Sequence, residues 1–399
     1  MVFAQPKCAE INTAQDLPGQ STRARAVVAR AHASSVWPTF CSMTAMKNFV
    51  HWLALACGLM AGNVAPVASA ADPQTIRIAA VAMQVAGKPG YMAAAQYVSE
   101  DQTLLAELEK RHVRLEWVPI SPTSVAALVN EDFTSHRIDF AFYGDLPSVI
   151  LNASGFQTRL VAPGNLGNNV YLVVPPTSTA KSIADLKGKR IALHRGRPWE
   201  VSFGKLVASN GFKVTDFKIV NLNPQAGAAA LVAGSVDAFF TLDDAYLLSD
   251  RNVGRIIWSS HRAPVDWKMR AELWGTREFV AQHPDLTQLL VNSDLRAVAW
   301  ISQEQNRSRY IKDLADRYGY PQSVVQRDSD NANISWKDYW SPLYTPSVTQ
   351  HYEAVVAYAR SANLIRSDVD VKTLIVPTFV REGLKELSLD HYWVAQATP

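Results

Sequence analysis

Cysteine is scarce in this chain and confined to one end. Of 399 residues only Cys8, Cys41 and Cys57 are cysteine. Beyond residue 57 no disulfide, thiol nucleophile or cysteine metal site can be built. Histidines number nine, and His194, His261 and His283 stand without the spacing of metal ligands. No phosphate-binding GxxxxGK[ST], zinc-binding HExxH, nucleophile-elbow GxSxG, dinucleotide GxGxxG after a strand or calcium loop stands in the sequence, so the common nucleotide, hydrolase and metalloprotease chemistries lose their signatures. Charge of one sign is lacking too. The formal net charge is +3, and residues 1–70 carry Lys7, Arg23, Arg25, Arg30 and Lys47 against Glu10 and Asp16, which accounts for all of it. A near-neutral remainder attracts neither nucleic acid nor anionic lipid globally. Any preference for anions must be local.

Long apolar runs are also missing, with one short exception. Lys47 precedes a mostly apolar stretch from Phe49 to Ala61, followed by Pro66 and by Ala68-Ser69-Ala70 before Ala71. That order reads as a secretory signal peptide cleaved after Ala70, its apolar part too short to span a bilayer. Export to the periplasm is expected. Met43 and Met46 stand directly before it, so residues 1–42 read as an extension upstream of the true start. The rivals are a single membrane anchor, or a lipid on Cys57, against which Ala54 stands where a lipoprotein site wants Leu.

The rest is rich in core-forming residues, 48% of the whole chain being hydrophobic. Apolar strand patterns and helical spacings alternate. TIRIAAVAM from Thr75, VRLEWVPI from Val113 and IDFAFYG from Ile138 read as strands, with helices over 101–112 and 121–137, the latter with Ser121 as N-cap and Pro122 first. A second series, YLVV, RIALH, FKIVNLN and VDAFF, is separated by helices over 198–210 and 224–233. From Thr276 onward the pattern is nearly all helical, with spans at 285–303, 307–318 and 345–363. Short connections imply mainly parallel sheets and an α/β class. The expected organisation is residues 71–168 with 268–399 as lobe I, 169–267 as lobe II, and two chain crossings forming a hinge that closes on a ligand.

Two strand-to-helix turns stand out, within Ile138–Gly155 and Lys181–Phe212. Each places Gly, a polar or charged group and Pro between an apolar strand and a helix, so backbone N–H groups at a helix start face the carboxyl end of a sheet. That arrangement cradles a small anion. In the first turn Tyr143, Gly144 and Asp145 are candidates, Gly144 permitting close approach. Asp145 either caps its own helix or, facing the cleft, favours a ligand bearing an amine. In the second, Gly196 and Pro198 make the turn, and Arg195 and Arg197 offer planar forks suited to a sulfonate, sulfate ester, carboxylate or phosphonate. Arg195 is expected to face the head group; Arg197 joins it or pairs with Glu200. Trp199 lids an organic tail or packs between helices. Asn168 and Asn169 fall at the first crossing, where amides bond ligand oxygens or simply form a turn.

The run YGD-x-P, VVPPTSTAKSIADLKGKRIALHRG and GSVDAFFTLDD over 138–244, with GTREFVAQHPDL from Gly275, resembles the periplasmic substrate-binding proteins of ABC importers for aliphatic sulfonates, taurine and nitrate. The resemblance covers most of the chain after residue 71. It implies the type II periplasmic binding-protein fold, a small organic anion as ligand, permease and ATPase subunits as partners, no cofactor, a monomer and no enzymatic activity. It brings Gln225, at another helix start, to the cleft, and matches Asp243 to a family Asp. Leu242 and Asp244 stand where the family has an aromatic and Pro, and the Arg195–Arg197 turn stands where it has an uncharged or Lys-Gly-Ser loop. Nitrate, a carboxylate or a thiamine-precursor pyrimidine are the alternative ligands, and an enzyme or a periplasmic sensor on the same fold the alternative classes.

Overall fold

The computed structural model describes residues 72–331 and 334–394. The three cysteines and the signal-peptide reading lie outside the described residues. Among the described residues eleven strands form two sheets. Strands β1 (Thr75–Val85), β2 (Lys88–Tyr91), β3 (Arg114–Ile120), β4 (Phe140–Gly144) and β5 (Thr158–Ala162) precede the first crossing. Strands β6 (Tyr171–Val174), β7 (Arg190–Leu193), β8 (Lys218–Asn221), β9 (Ala238–Thr241) and β10 (Arg255–Ser259) follow it, and β11 (Ala271–Thr276) comes after the return. The first sheet runs β2-β1-β4-β11-β5 with β3 on β1; the second runs β10-β6-β9-β7-β8.

The sheets are mixed rather than mainly parallel. β1 pairs in parallel with β3 and β4, and β7 with β8 and β9, whereas β11 runs antiparallel to β4 and β5, and β6 to β9 and β10. Topology supplies the reason. β6 and β11 are the strands that enter each lobe from the hinge, so they start where their neighbours end. The crossings meet as a two-stranded bridge, Asn168 N donating to Met269 O at 2.8 Å and Met269 N to Asn168 O at 3.2 Å.

Short apolar runs build the cores. β9, AFFT, is buried along its length, as a strand covered on both faces must be. The helix Pro284–Ile301 sends Leu286, Leu290, Val291, Leu295 and Val298 into the first lobe's core, the i, i+4 stripe of an amphipathic helix. The helix expected from Ser121 begins instead at Val125, with Ser124 at its N-cap, because Ser121 to Ser124 close a turn through Ser124 N to Ser121 O at 3.1 Å. Helices Asp145–Ala153 and Pro346–Ser361 of the first lobe pack against helix Pro198–Ser209 of the second.

Candidate functional site

Because β4, β7 and β9 run in one sense within their sheets, their carboxyl ends lie together at the face where the lobes meet. Here the helix Asp145–Ala153 follows β4 and the helix Pro198–Ser209 follows β7. The approach is close: a Cβ on Gly144 would lie 2.1 Å from Pro198 Cγ, so the N-termini of these two helices abut and only glycine fits.

The turn after β7 is built around Glu200. Gly196, at φ +73°, reverses the chain, Arg197 takes extended N-cap geometry, and Pro198 opens the helix without wasting a donor. Glu200 is wholly buried in the first helical turn. Its Oε1 accepts from Arg195 Nε at 2.5 Å and from the Tyr358 hydroxyl at 3.2 Å, and its Oε2 from Gly196 N at 2.5 Å. Arg195 N also donates to Asn221 Oδ1 at 2.9 Å. Glu200 therefore belongs to Arg195. The expected pairing of Arg197 with Glu200 is corrected: Arg195 is the paired one, its stem folded back by Gly196 over the helix start.

Arg197 is left without a counter-charge among the described residues. It is 8% exposed, its guanidinium lies 4.8 Å from the centre of the Trp199 ring, and its Nε and Nη1 have no partner. Burial pushes its pKa down to about 10. A desolvated cation without a counter-charge is costly, and the arrangement is relieved by an anion that brings acceptor oxygens. Trp199, 2% exposed, sits in the second lobe's core as the platform under Arg197 and does not lid the cleft. His194, which stands without metal-ligand spacing in the sequence, flanks the same ring at 6.1 Å between centroids, with Nδ1 buried and unpartnered. Burial and the nearby Arg197 push its pKa down to about 4, leaving a neutral imidazole. It stands directly between the end of β7 and Arg195.

The other candidates divide. Tyr143 is 1% exposed and packs between Phe133 and Trp274 at 5.7 and 6.3 Å, inside the hydrophobic core. Asp145 is the first helical residue, Gly144 being the N-cap; its Oδ1 accepts from Leu146 N at 2.6 Å and its Oδ2 bonds His351 Nε2 at 2.7 Å, both side chains buried. Its carboxylate is thus spent on its own helix and on a residue 206 positions away. Gln225 is exposed in the first turn of helix Pro224–Val232, where Asn223 makes the cap.

Asn169 is a lock on the hinge. Its Nδ2 donates to Asp328 O at 2.8 Å and Asn331 Oδ1 at 3.2 Å, and its Oδ1 accepts from Ser260 and from the buried Lys268. Lys268, held among these neutral acceptors, has its pKa pushed down to about 8 by burial. Asp243 is half-buried at the N-cap of helix Asp244–Asp250, its pKa pushed well up by burial and then by Asp328 and Asp244. Tyr171 of β6 reaches Asp328 Oδ1 at 2.5 Å and His261 Nε2 at 2.7 Å, while Arg327 forms a two-pronged pair with Asp250 at 2.9 and 2.5 Å. Asp328, Arg327 and Asn331 come from the return to the first lobe. The partners lie 77 to 162 positions apart, so no local motif announces them.

Comparison with known proteins agrees with this fold. The NMT1/THI5-like family matches residues 115–308. The crystal structure of the periplasmic sulfonate-binding protein SsuA from Methylobacillus flagellatus KT is 48% identical, aligning 82% of this chain with 98% of that one at a TM-score of 0.74. A protein of Escherichia coli (strain K12) named for binding aliphatic sulfonates is 30% identical over 209 residues, half of this chain and 59% of that protein. The desulfurization enzyme DSZB shares the fold at 16% identity, over 78% of this chain and 99% of its own, with a TM-score of 0.59. With two α/β lobes, a two-crossing hinge and a relative of 48% identity along nearly its full length, the chain belongs to the NMT1/THI5-like family, among the SsuA periplasmic sulfonate-binding proteins.

Proposed function

We propose that this protein is the exported solute-binding subunit of an ABC importer and takes a small organic anion, with an aliphatic sulfonate or sulfate-ester head, between its two lobes. The observation that carries the reading is the buried Arg197 guanidinium, its Nε and Nη1 without partners, seated on Trp199 at the start of a 12-residue helix where the lobes meet. A sulfonate supplies what that site lacks, one negative charge and acceptor oxygens in a plane that matches the guanidinium fork. Lobe closure strips water from the pair and strengthens it, and the closed outline is what a permease and its ATPase recognise. No bond is made or broken. The desulfurization enzyme on this fold marks the rival class, but the turn offers charge and hydrogen-bond donors without a cysteine, since all three lie at residues 8, 41 and 57. The mature monomer, cut after Ala70, works in the periplasm.

The test is calorimetric titration with an alkanesulfonate. Arg197→Ala should weaken binding by about 1.5 to 3 kcal/mol, the value of a hydrogen bond to a charged group, or roughly ten- to more than a hundredfold. Arg197→Lys should recover part of that, keeping charge but losing the fork. Unaltered affinity in Arg197→Ala would sink the reading.

A further inference from the structure

The site pairs one positive group with one neutral group. Arg197 carries the charge, and beside it His194 presents a buried, unpartnered Nδ1 across the Trp199 ring. We infer that His194 is a second contact to the ligand head and that it restricts the site to singly charged heads. This deepens the sulfonate reading and rests on it.

The argument is one of charge balance in a desolvated place. The other side chains around the turn have partners: Arg195 pairs with Glu200, and on the facing helix Asp145 is hydrogen-bonded to His351. Arg197 is the charge that acts on His194, and burial together with that neighbour opposes its protonation. One cation and a monoanion sum to zero when the lobes close. A dianion leaves a net negative charge buried, which low-dielectric surroundings penalise heavily. A second Arg or Lys in place of His194 would remove that penalty. The neutral imidazole adds a hydrogen bond without adding charge, so it favours a monoanion without admitting a dianion. With its proton on Nδ1 it donates to a sulfonate oxygen, a pure acceptor.

A matched pair of probes tests this on the purified protein: an alkanesulfonate, singly charged throughout, and the alkylphosphonate of the same chain length, which loses a second proton near neutrality as phosphate monoesters do at about pH 6. Both are titrated on the acid and alkaline sides of that transition. Sulfonate affinity should change by less than about threefold, while the phosphonate should bind at least about tenfold more weakly on the alkaline side. His194→Ala should weaken sulfonate binding by about tenfold, and His194→Gln, which keeps a neutral donor, should retain most of it. His194→Arg, always charged, should raise affinity for the doubly charged phosphonate. If the dianion binds the wild type as tightly as the sulfonate does, or if His194→Ala changes nothing, the inference is overturned while the sulfonate reading stands. If neither probe binds at either pH, the sulfonate reading itself falls and takes this one with it.

Discussion

Arg195 and Arg197 stand two positions apart and do opposite work, so they should separate in experiment. Arg195 is one-third exposed and completes the buried Glu200, which would be left with Gly196 N and the Tyr358 hydroxyl. Arg195→Ala should lower stability by about 2 to 3 kcal/mol, below the 3 to 5 of a fully buried broken pair, with sulfonate affinity changed less than about threefold. Arg197→Ala should do the reverse, losing affinity while the melting temperature holds or rises. That a Gly-Pro turn with two arginines sat at a strand end was legible in the sequence. Which arginine turned inward was not, because Gly196 and the buried Glu200 decide it through side-chain geometry. A second residue-scale test concerns Asp294, 1% exposed in helix Pro284–Ile301 with both carboxylate oxygens unpartnered, its pKa pushed up to about 7 by burial. A raised folded-state value means stability is full below the unfolded value near 4 and is lost as pH rises through about 7. Asp294→Asn should match the wild type in denaturant melts near pH 4 and exceed it by up to about 4 kcal/mol near pH 8. A constant difference across that range would contradict the assignment.

At the scale of elements, strand, turn and helix were readable because apolar runs, Gly and Pro mark them locally. Strand direction was not, since β6 and β11 owe their antiparallel pairing to the hinge they emerge from. The meeting of two helix starts at Gly144 and Pro198 was equally hidden: each turn was visible, their contact was not. Gly144→Ala places a carbon where Pro198 Cγ already lies within 2.1 Å. Both partners belong to helix starts and cannot swing aside as a flexible side chain would. The variant should therefore fold normally, show a larger radius of gyration than the wild type in small-angle scattering with saturating ligand, and bind more weakly. An unchanged radius would show that the contact yields locally.

The whole molecule is tied along its seam by contacts that local sequence patterns do not reveal. His261 Nδ1 lies 2.7 Å from Asp330 O, an acceptor only, so that nitrogen carries a proton. Tyr171 then has one hydroxyl hydrogen for two short contacts, to His261 Nε2 and to Asp328 Oδ1. The row needs one further proton. Burial pushes His261 down and pushes Asp328 up to about 6, so Asp328 is expected to carry that proton below about pH 6. Lys268, Asp243, Tyr246 and Arg327 are the charged and titratable neighbours. As with any group raised on folding, the stabilisation is present at low pH and lost as pH rises through about 6. The lobes should hold together more firmly near pH 5 than near pH 8, measured as the distance between fluorophores on the two lobes, and Asp328→Asn should flatten that dependence. A dependence that survives in Asp328→Asn would place the proton elsewhere.

The contact between Gly144 and Pro198 also works as a caliper. If Arg197 takes the head group as proposed, the helix start that carries it is also the one that rests against the opposite lobe, so recognition and measurement share a single stop. A molecule with the right head but a slightly bulky body can satisfy Arg197 and still hold the jaws a carbon's width apart. Such an impostor would be gripped yet never announced to the transporter. Fidelity of uptake in this protein would then depend on whether the jaws shut, and tight binding alone would be no passport.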